Sequence, residues 1–227
     1  MNRDLIIFGV GKIAEVAYYY AKEECGFNVC AFCVDKEYIS DSSFHNLPVI
    51  PFEEIEKRMP PDRYKMFVAV GYHDLNKLRE IKCKEARNKS YELVSLVSPA
   101  SAIPKNVTYG WNCFIMPPSI IHPFVKLGNN VFVWSGAIVG HHSFIQDHCW
   151  LTSGCNIAGN VMMGTNTFVA INATVSHSVK IGVNCFLGAN TLLTKDLADN
   201  LVVIAESSKP LRVNSSQFLK ISNFSTI

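Results

Sequence analysis

From Val97 to Leu193 an aliphatic or near-aliphatic side chain recurs at every sixth residue. The series runs Val97, Ile103, Tyr109, Ile115, Ile121, Leu127, Val133, Val139, Ile145, Leu151, Ile157, Met163, Val169, Val175, Ile181, Leu187 and Leu193, with Tyr109 the one outsider. A period of six fits neither the 3.6 of an amphipathic helix nor the 2 of a simple strand, so it implies stacked supersecondary units, and hexapeptide repeats specify a parallel β-helix. Four residues after each aliphatic stands a compact side chain, among them Cys113, Ser119, Ala137, Ser143, Cys149, Cys155, Thr167, Ala173 and Cys185, with Leu197 the large exception. One long and one compact side chain per repeat suit a narrow prism. Three residues after each aliphatic the choice falls on Asn106, Asn112, Asn130, Asn160, Asn166, Asn172, Asn184 and Asn190, with Gly136, Gly154, His142, His148 and Asp196 among the others. These residue types tolerate positive φ, as a tight turn after each short strand requires. Three turns close a coil of about eighteen residues, which places residues eighteen apart directly above one another.

The first ninety-odd residues follow another logic. Leu5 to Phe8 is a short apolar strand, Gly9-Val10-Gly11-Lys12 a glycine turn, and the stretch to about Glu24 a helix, followed by a second strand from Val29 to Val34 that ends at Asp35. Strand, glycine turn, helix and strand begin a Rossmann-like α/β unit in which backbone N–H groups at a helix N-terminus approach a phosphate. The same glycines also suit a tight turn with no ligand. Pro48 to Pro61 reads as a loop with a short helix, Met66 to Val70 as a third strand closing at Gly71, Asp74 to Lys89 as a basic amphipathic helix, and Tyr91 to Val97 as the strand that hands over to the β-helix. The composition shifts near Ser98-Pro99. The resulting division is an α/β domain over 1–96, a β-helix over 97–206 and a polar, loosely held tail over 207–227.

With 227 residues, 48% of them apolar, the chain can bury a substantial core. A net charge of +2 gives no nucleic-acid footprint. The N-terminal apolar run before Gly9 is four residues, too short for a signal peptide or a membrane span, and a cytoplasmic protein is expected. Of the eight cysteines, Cys113, Cys149, Cys155 and Cys185 occupy the compact inward column, where Cys acts as a small hydrophobe, and reduced thiols are expected throughout. Cys30 and Cys33 form a CxxC inside a predicted strand, where residues three apart face opposite sides, so zinc is not expected there.

The stretches Gly9-Val10-Gly11, Val68-Ala69-Val70-Gly71-Tyr72, Ile138-Val139-Gly140-His141-His142 and Ala158-Gly159-Asn160-Val161 resemble the hexapeptide-repeat acyltransferases, specifically the sugar acyltransferases of the PglD/NeuD type. The resemblance spans Leu5 to about Leu211 and implies an α/β domain joined to a left-handed parallel β-helix. It further implies a homotrimer with active sites between subunits, which uses acetyl-CoA and no metal to acetylate a nucleotide-linked amino sugar for surface glycan (lipopolysaccharide or O-antigen) biosynthesis. His141 stands where relatives carry the general base, and Gly159 where a glycine N–H steadies the thioester oxygen. Gly9, Gly11, Lys12, Asp35 and Gly71 are the implied nucleotide-sugar contacts, with Trp134 and His142 beside the sugar, while Gly159, Gly188 and Lys195 would meet coenzyme A.

Several features depart from that pattern. Relatives carry an acidic residue after the base where this chain has His142, leaving Asp147 as a candidate partner for His141 or a solvated turn residue. The usual Gly-x-Pro-Ala after the last coil is replaced by Ala205-Glu206-Ser207-Ser208. Trp134 and Trp150 either wall the sugar pocket or pack a subunit interface. Acetylation of a sugar hydroxyl needs the same groups and stays open. A β-helical zinc enzyme of the carbonic anhydrase type would need three converging histidines, yet His122, His141, His142, His148 and His177 fall in three columns of the repeat without a close pair and spare acid on one face. A nucleotide sensor that only trimerises through its β-helix is the non-enzymatic alternative.

Overall fold

In a computed structural model that describes residues 3–222, the central strand β1 (Asp4–Phe8) pairs in parallel with β2 (Asn28–Val34) on one side and β5 (Lys65–Val68) on the other. β4 (Leu47–Pro51) lies beyond β2 in parallel, and the two-residue β3 (Ser43–Phe44) closes that edge antiparallel to β4. The segment read as loop and short helix thus begins with a strand, entered through a tight turn in which His45 and Asn46 take φ of 49° and 60°. Pro48 and Pro51 mask it, because proline argues against a strand interior. Helix α1 (Lys12–Tyr19) continues into a π-helical turn at Tyr20–Glu24, and α2 (Ile55–Arg58) is a single turn. α3 (Lys77–Asn88) starts three residues later than expected, since Asp74, Leu75 and Asn76 all take left-handed backbone, with φ of 47°, 48° and 68°.

Tyr91 to Val97 splits its loyalty. Glu92 O and Val94 N bond Met66 at the edge of β5, whereas Leu96–Val97 pairs with Phe114–Ile115, so the winding begins at Leu96. From there the chain is a left-handed parallel β-helix. Its two-residue strands pair in parallel with partners eighteen residues on, as in Ile138↔Asn156↔Thr174↔Leu192, and form three sheets. The inward column from Ile115 to Leu193 is buried, as are Cys113, Cys149, Cys155 and Cys185. Burial lifts the Cys149 and Cys155 thiols to about 12, which suits packing and not nucleophilic work. Twelve corners of the turn column carry the expected positive φ, including Asn112, Asn130, His142, His148 and Asn160, and so does Phe124 at 67°, a residue type that gives no such signal, whereas Asn106 and Asp196 do not.

Leu197 stands out of the compact column for a geometric reason. The coil after Leu193 has a corner two residues short, so Leu197 bridges to Ile181 and takes the long inward place, and Val202–Val203 pairs sixteen residues back with Phe186–Leu187. In the tail, Ser215–Ile221 forms helix α4, started by a capping box in which Asn214 and Gln217 bond each other's backbone; 223–227 lies outside the described residues.

One sheet of the prism carries Phe114, Phe132, Trp150, Phe168 and Phe186 outward, eighteen residues apart and stacked, with Phe132 and Trp150 5.0 Å and Phe168 and Phe186 5.0 Å between ring centroids. The α/β domain sits on this ladder through Tyr20, Phe67 and Tyr72. Arg79, fully buried on α3, lies 4.3 Å over Phe132 and donates to Asn130 Oδ1 (2.9 Å), Asn76 Oδ1 (3.0 Å) and the His148 carbonyl (3.1 Å). Asn112 completes the seam: its Oδ1 accepts from Val68 N–H at 2.7 Å and its Nδ2 donates to Val68 O at 3.1 Å, as another strand would.

Candidate active site

The corner between the strands Ile138–Val139 and Phe144–Ile145 holds Gly140, His141 and His142. A side chain on Gly140 would sit 2.4 Å from Gly159 N, so only glycine lets the coils close here. Stacking at eighteen residues aligns Pro123, His141, Gly159 and His177 in one column and Phe124, His142, Asn160 and Ser178 in the next. The His141 ring leans over Gly159, where a Cβ would come within 2.8 Å of its Cε1 and Nε2. His141 and His177 rings lie 6.1 Å apart with the glycine between them. Lys195 occupies the shortened corner in the coil after His177.

His142 takes φ of 61°, stacks on Phe124 at 4.7 Å, and sets its Nδ1 3.1 Å from Nδ1 of His141. The two histidines therefore do form a close pair, which the column argument did not anticipate because neighbours in a tight corner converge. Among the described residues no group of three His, Cys, Asp or Glu that could hold a metal ion occurs. Asp147 belongs to another corner, where it accepts from Asn129 N at 2.8 Å and Asn129 Nδ2 at 3.1 Å.

That other corner reveals a property of Gly159. At the same repeat position Trp111 N–H donates to Asn129 Oδ1, Asn129 N–H to Asp147 Oδ1, and Val183 N–H to Asp199 Oδ1, each acceptor on the following coil. These amides point along the prism axis toward the next coil. Above Gly159 the corresponding residue is His177, and among the described residues the Gly159 N–H meets no backbone or side-chain acceptor.

A second feature lies in the α/β domain. A cavity of about 730 Å³ opens at the carboxyl ends of β1, β2 and β5, where the strand order reverses, and is lined by Gly9, Gly11, Lys12, Asp35, Tyr38, Gly71, His73 and Lys82 among others. Five positions singled out from sequence thus line one cavity. Gly9 has φ of 119° and a Cβ there would press on Ala69 O at 3.0 Å, whereas a Cβ on Gly11 would meet nothing within 4 Å. Gly9 is fixed by the turn; Gly11 keeps the cavity open at the start of α1. Asp35 is not a free acceptor, since Lys82 Nζ bonds it at 2.9 Å and Glu85 at 2.8 Å. Burial would lower the Lys82 ammonium's pKa, but Asp35 and Glu85 outweigh it and hold it raised.

Trp134 and Gly188 fall elsewhere. Trp134 stacks on Trp150 at 5.5 Å within the interdomain cluster, on a corner away from His141, and lines no part of the cavity. Trp150 is buried in the same cluster and lines no part of that cavity. Gly188 shares the Trp134 corner, and a Cβ on it would meet Ile204 Cγ2 at 3.0 Å and Val203 O at 3.2 Å, so the last coil crowds this position. Sequence reasoning passed over Lys82, His73 and Arg79; only the eighteen-residue recurrence of aromatics was there to reveal the ladder.

No protein-family model matches the chain and no curated protein matches it. Solved structures do, among them β-helix acetyltransferases whose fold this chain shares over most of its length. Perosamine N-acetyltransferase from Caulobacter crescentus, in complex with CoA and GDP-perosamine, is 24% identical over 89% of this chain and 93% of that one, with a TM-score of 0.80. The acetyltransferase domain of PglB from Neisseria gonorrhoeae is 22% identical over 92% of this chain and 100% of that one, at 0.82, and its complex with acetyl coenzyme A is 21% identical over 93% and 100%, at 0.81. The likeness is one of fold.

Proposed function

We propose that the chain transfers an acetyl group from acetyl-CoA to the amine of a nucleotide-linked amino sugar. The observation that carries this reading is the corner where the His141 ring covers Gly159, whose N–H has no acceptor of its own. An amine must shed a proton as it attacks a thioester, and imidazole suits that task near neutral pH. We assign His141 as the base. Its Nδ1–H donates to Nδ1 of a neutral His142, which leaves the Nε2 lone pair free on the Gly159 side. His142 thereby does the orienting work of a carboxylate, as an acceptor without charge. The Gly159 N–H donates to the thioester oxygen as negative charge develops, a contribution worth about 10²–10³ in rate where measured for one such donor.

In the α/β domain Gly9, Gly11 and Lys12 would receive the diphosphate at the start of α1, with Gly71 across from them and the Asp35–Lys82 pair reading the nucleoside. Lys195, at the far end of the His141 column, suits a coenzyme A phosphate. The fold neighbours support this partition, since their structures contain CoA or acetyl coenzyme A and GDP-perosamine, and two are of variants that replace a histidine by asparagine or alanine.

No β-helix residue lines the cavity, so one chain does not unite the two features. We therefore propose a homotrimer with sites between subunits. Ile120, Phe144 and Met162, which are 51%, 38% and 48% exposed around the His141 corner, would be covered there, and Trp134 and Gly188 would reach a site as the neighbouring copy's contribution. A cytoplasmic role in surface glycan biosynthesis fits eight unpaired thiols. The test is to incubate the protein with acetyl-CoA and a panel of nucleotide amino sugars while following thiol release and product mass. An amide product supports the reading. Turnover of hydroxyl sugars alone contradicts the amine assignment, and no release with any acceptor contradicts acetyl transfer.

A further inference from the structure

We propose that His177 is a second catalytic histidine, the donor of the proton to the departing coenzyme A sulfur. The inference rests on the acetyl-transfer reading above. Three observations meet at this residue. His177 follows His141 and Gly159 in one column, at 36 and 18 residues, which at about 4.8 Å per coil makes it the next side chain beyond the glycine. Its ring is exposed and lies 6.1 Å from that of His141, so the two imidazoles stand on either side of Gly159 along the column. The Gly159 N–H sits at the repeat position whose amides elsewhere donate to the side chain of the following coil, and on this corner that side chain is His177.

A thioester whose oxygen accepts from Gly159 N–H thus has an imidazole on each side. The amine enters from the His141 side. The new C–N bond forms as His141 Nε2 takes the amine proton; the C–S bond then breaks, and the sulfur leaves with its electron pair and takes a proton from the protonated His177. Exchange with water returns the proton from His141 and restores the one on His177, so the sum is an amide and a free thiol. The ionisable groups around His177 are His141 and His142 below it, Lys180 on its own coil, and Lys195 and Asp196 at the shortened corner beyond, where Asp196 accepts from Lys180 N.

The experiment uses the full chain with His177→Gln, which keeps a hydrogen-bond donor but cannot pass a proton, and His177→Ala, each checked for coenzyme A affinity by calorimetry. The expected result is a fall in kcat of about 10²-fold in both, coenzyme A affinity within threefold, and loss of the alkaline limb of the kcat–pH profile while the acid limb stays. A kcat within threefold of wild type with both limbs intact, or a defect confined to KM for acetyl-CoA, would overturn the proposal while leaving acetyl transfer standing. A wild-type chain that transfers no acetyl group overturns both.

Discussion

At His141 the proposed chemistry depends on what the neighbouring residues lack. Gly159 lacks a side chain, and the ring fills that space; an alanine there would place its methyl carbon 2.8 Å from Nε2. Gly159→Ala is therefore expected to displace the imidazole and lower kcat by about 10²-fold, with the far-UV spectrum and unfolding temperature close to wild type. Steady-state kinetics beside a thermal melt check it. His142 is argued from both backbone and ring. His142→Leu loses the acceptor for His141 Nδ1 and strains a corner at φ of 61°, so kcat should fall about tenfold and stability by about 1 kcal/mol, whereas His142→Asn tolerates the backbone and should keep most of the stability. Equal melting temperatures for the two variants would contradict the backbone half of this account. The six-residue beat makes the His141–Gly159 alignment legible in the sequence, because arithmetic alone stacks them. The His141–His142 hydrogen bond is not legible, since it depends on side-chain rotamers in a corner.

At the level of elements, the seam between the α/β domain and the prism rests on α3. Arg79 is wholly buried without a carboxylate against it, and desolvation lowers its pKa to about 10, so the guanidinium is held by neutral oxygens and aromatic faces. Arg79→Met fills the space but takes the donor from Asn76 Oδ1 and the His148 carbonyl and leaves Asn130 Oδ1 with Asn112 Nδ2 alone. A loss of about 3 kcal/mol in chemical denaturation is expected, with the α/β domain loosening first in hydrogen exchange. The periodic columns predicted the prism because every repeat obeys the same inside-outside rule. The seam escaped because Asn112 and Asn130 read as two more turn residues, and nothing local distinguishes an asparagine that turns a corner from one that also bonds another domain. The proline-bearing β4 escaped for the opposite reason, a local signal overridden by its place in the sheet.

For the whole molecule, His148 couples folding to pH. Burial lowers its pKa below 6.5 against the pull of Glu80 and Asp147, and its Nδ1 is engaged by Asn130 Nδ2 at 2.9 Å. The unfolded chain therefore takes up the proton first, so this contribution is complete above about pH 6.5 and is lost as the pH falls toward the folded value. The unfolding midpoint should drop between about pH 7 and pH 5, and His148→Asn should flatten that dependence. A stability profile unchanged by the substitution would remove His148 from the account. Both the two-part architecture and its two candidate features, a cavity at the strand ends and an imidazole column on the prism, could be read from glycine turns and spacing; that no β-helix residue lines the cavity could not.

The most direct measurement compares wild type with His141→Ala for two quantities on the same preparations, coenzyme A affinity and acetyl-CoA-dependent thiol release with the best nucleotide amino sugar. The account predicts affinity unchanged within a few fold and thiol release slowed at least about 10²-fold. Thiol release at the wild-type rate from His141→Ala would contradict it.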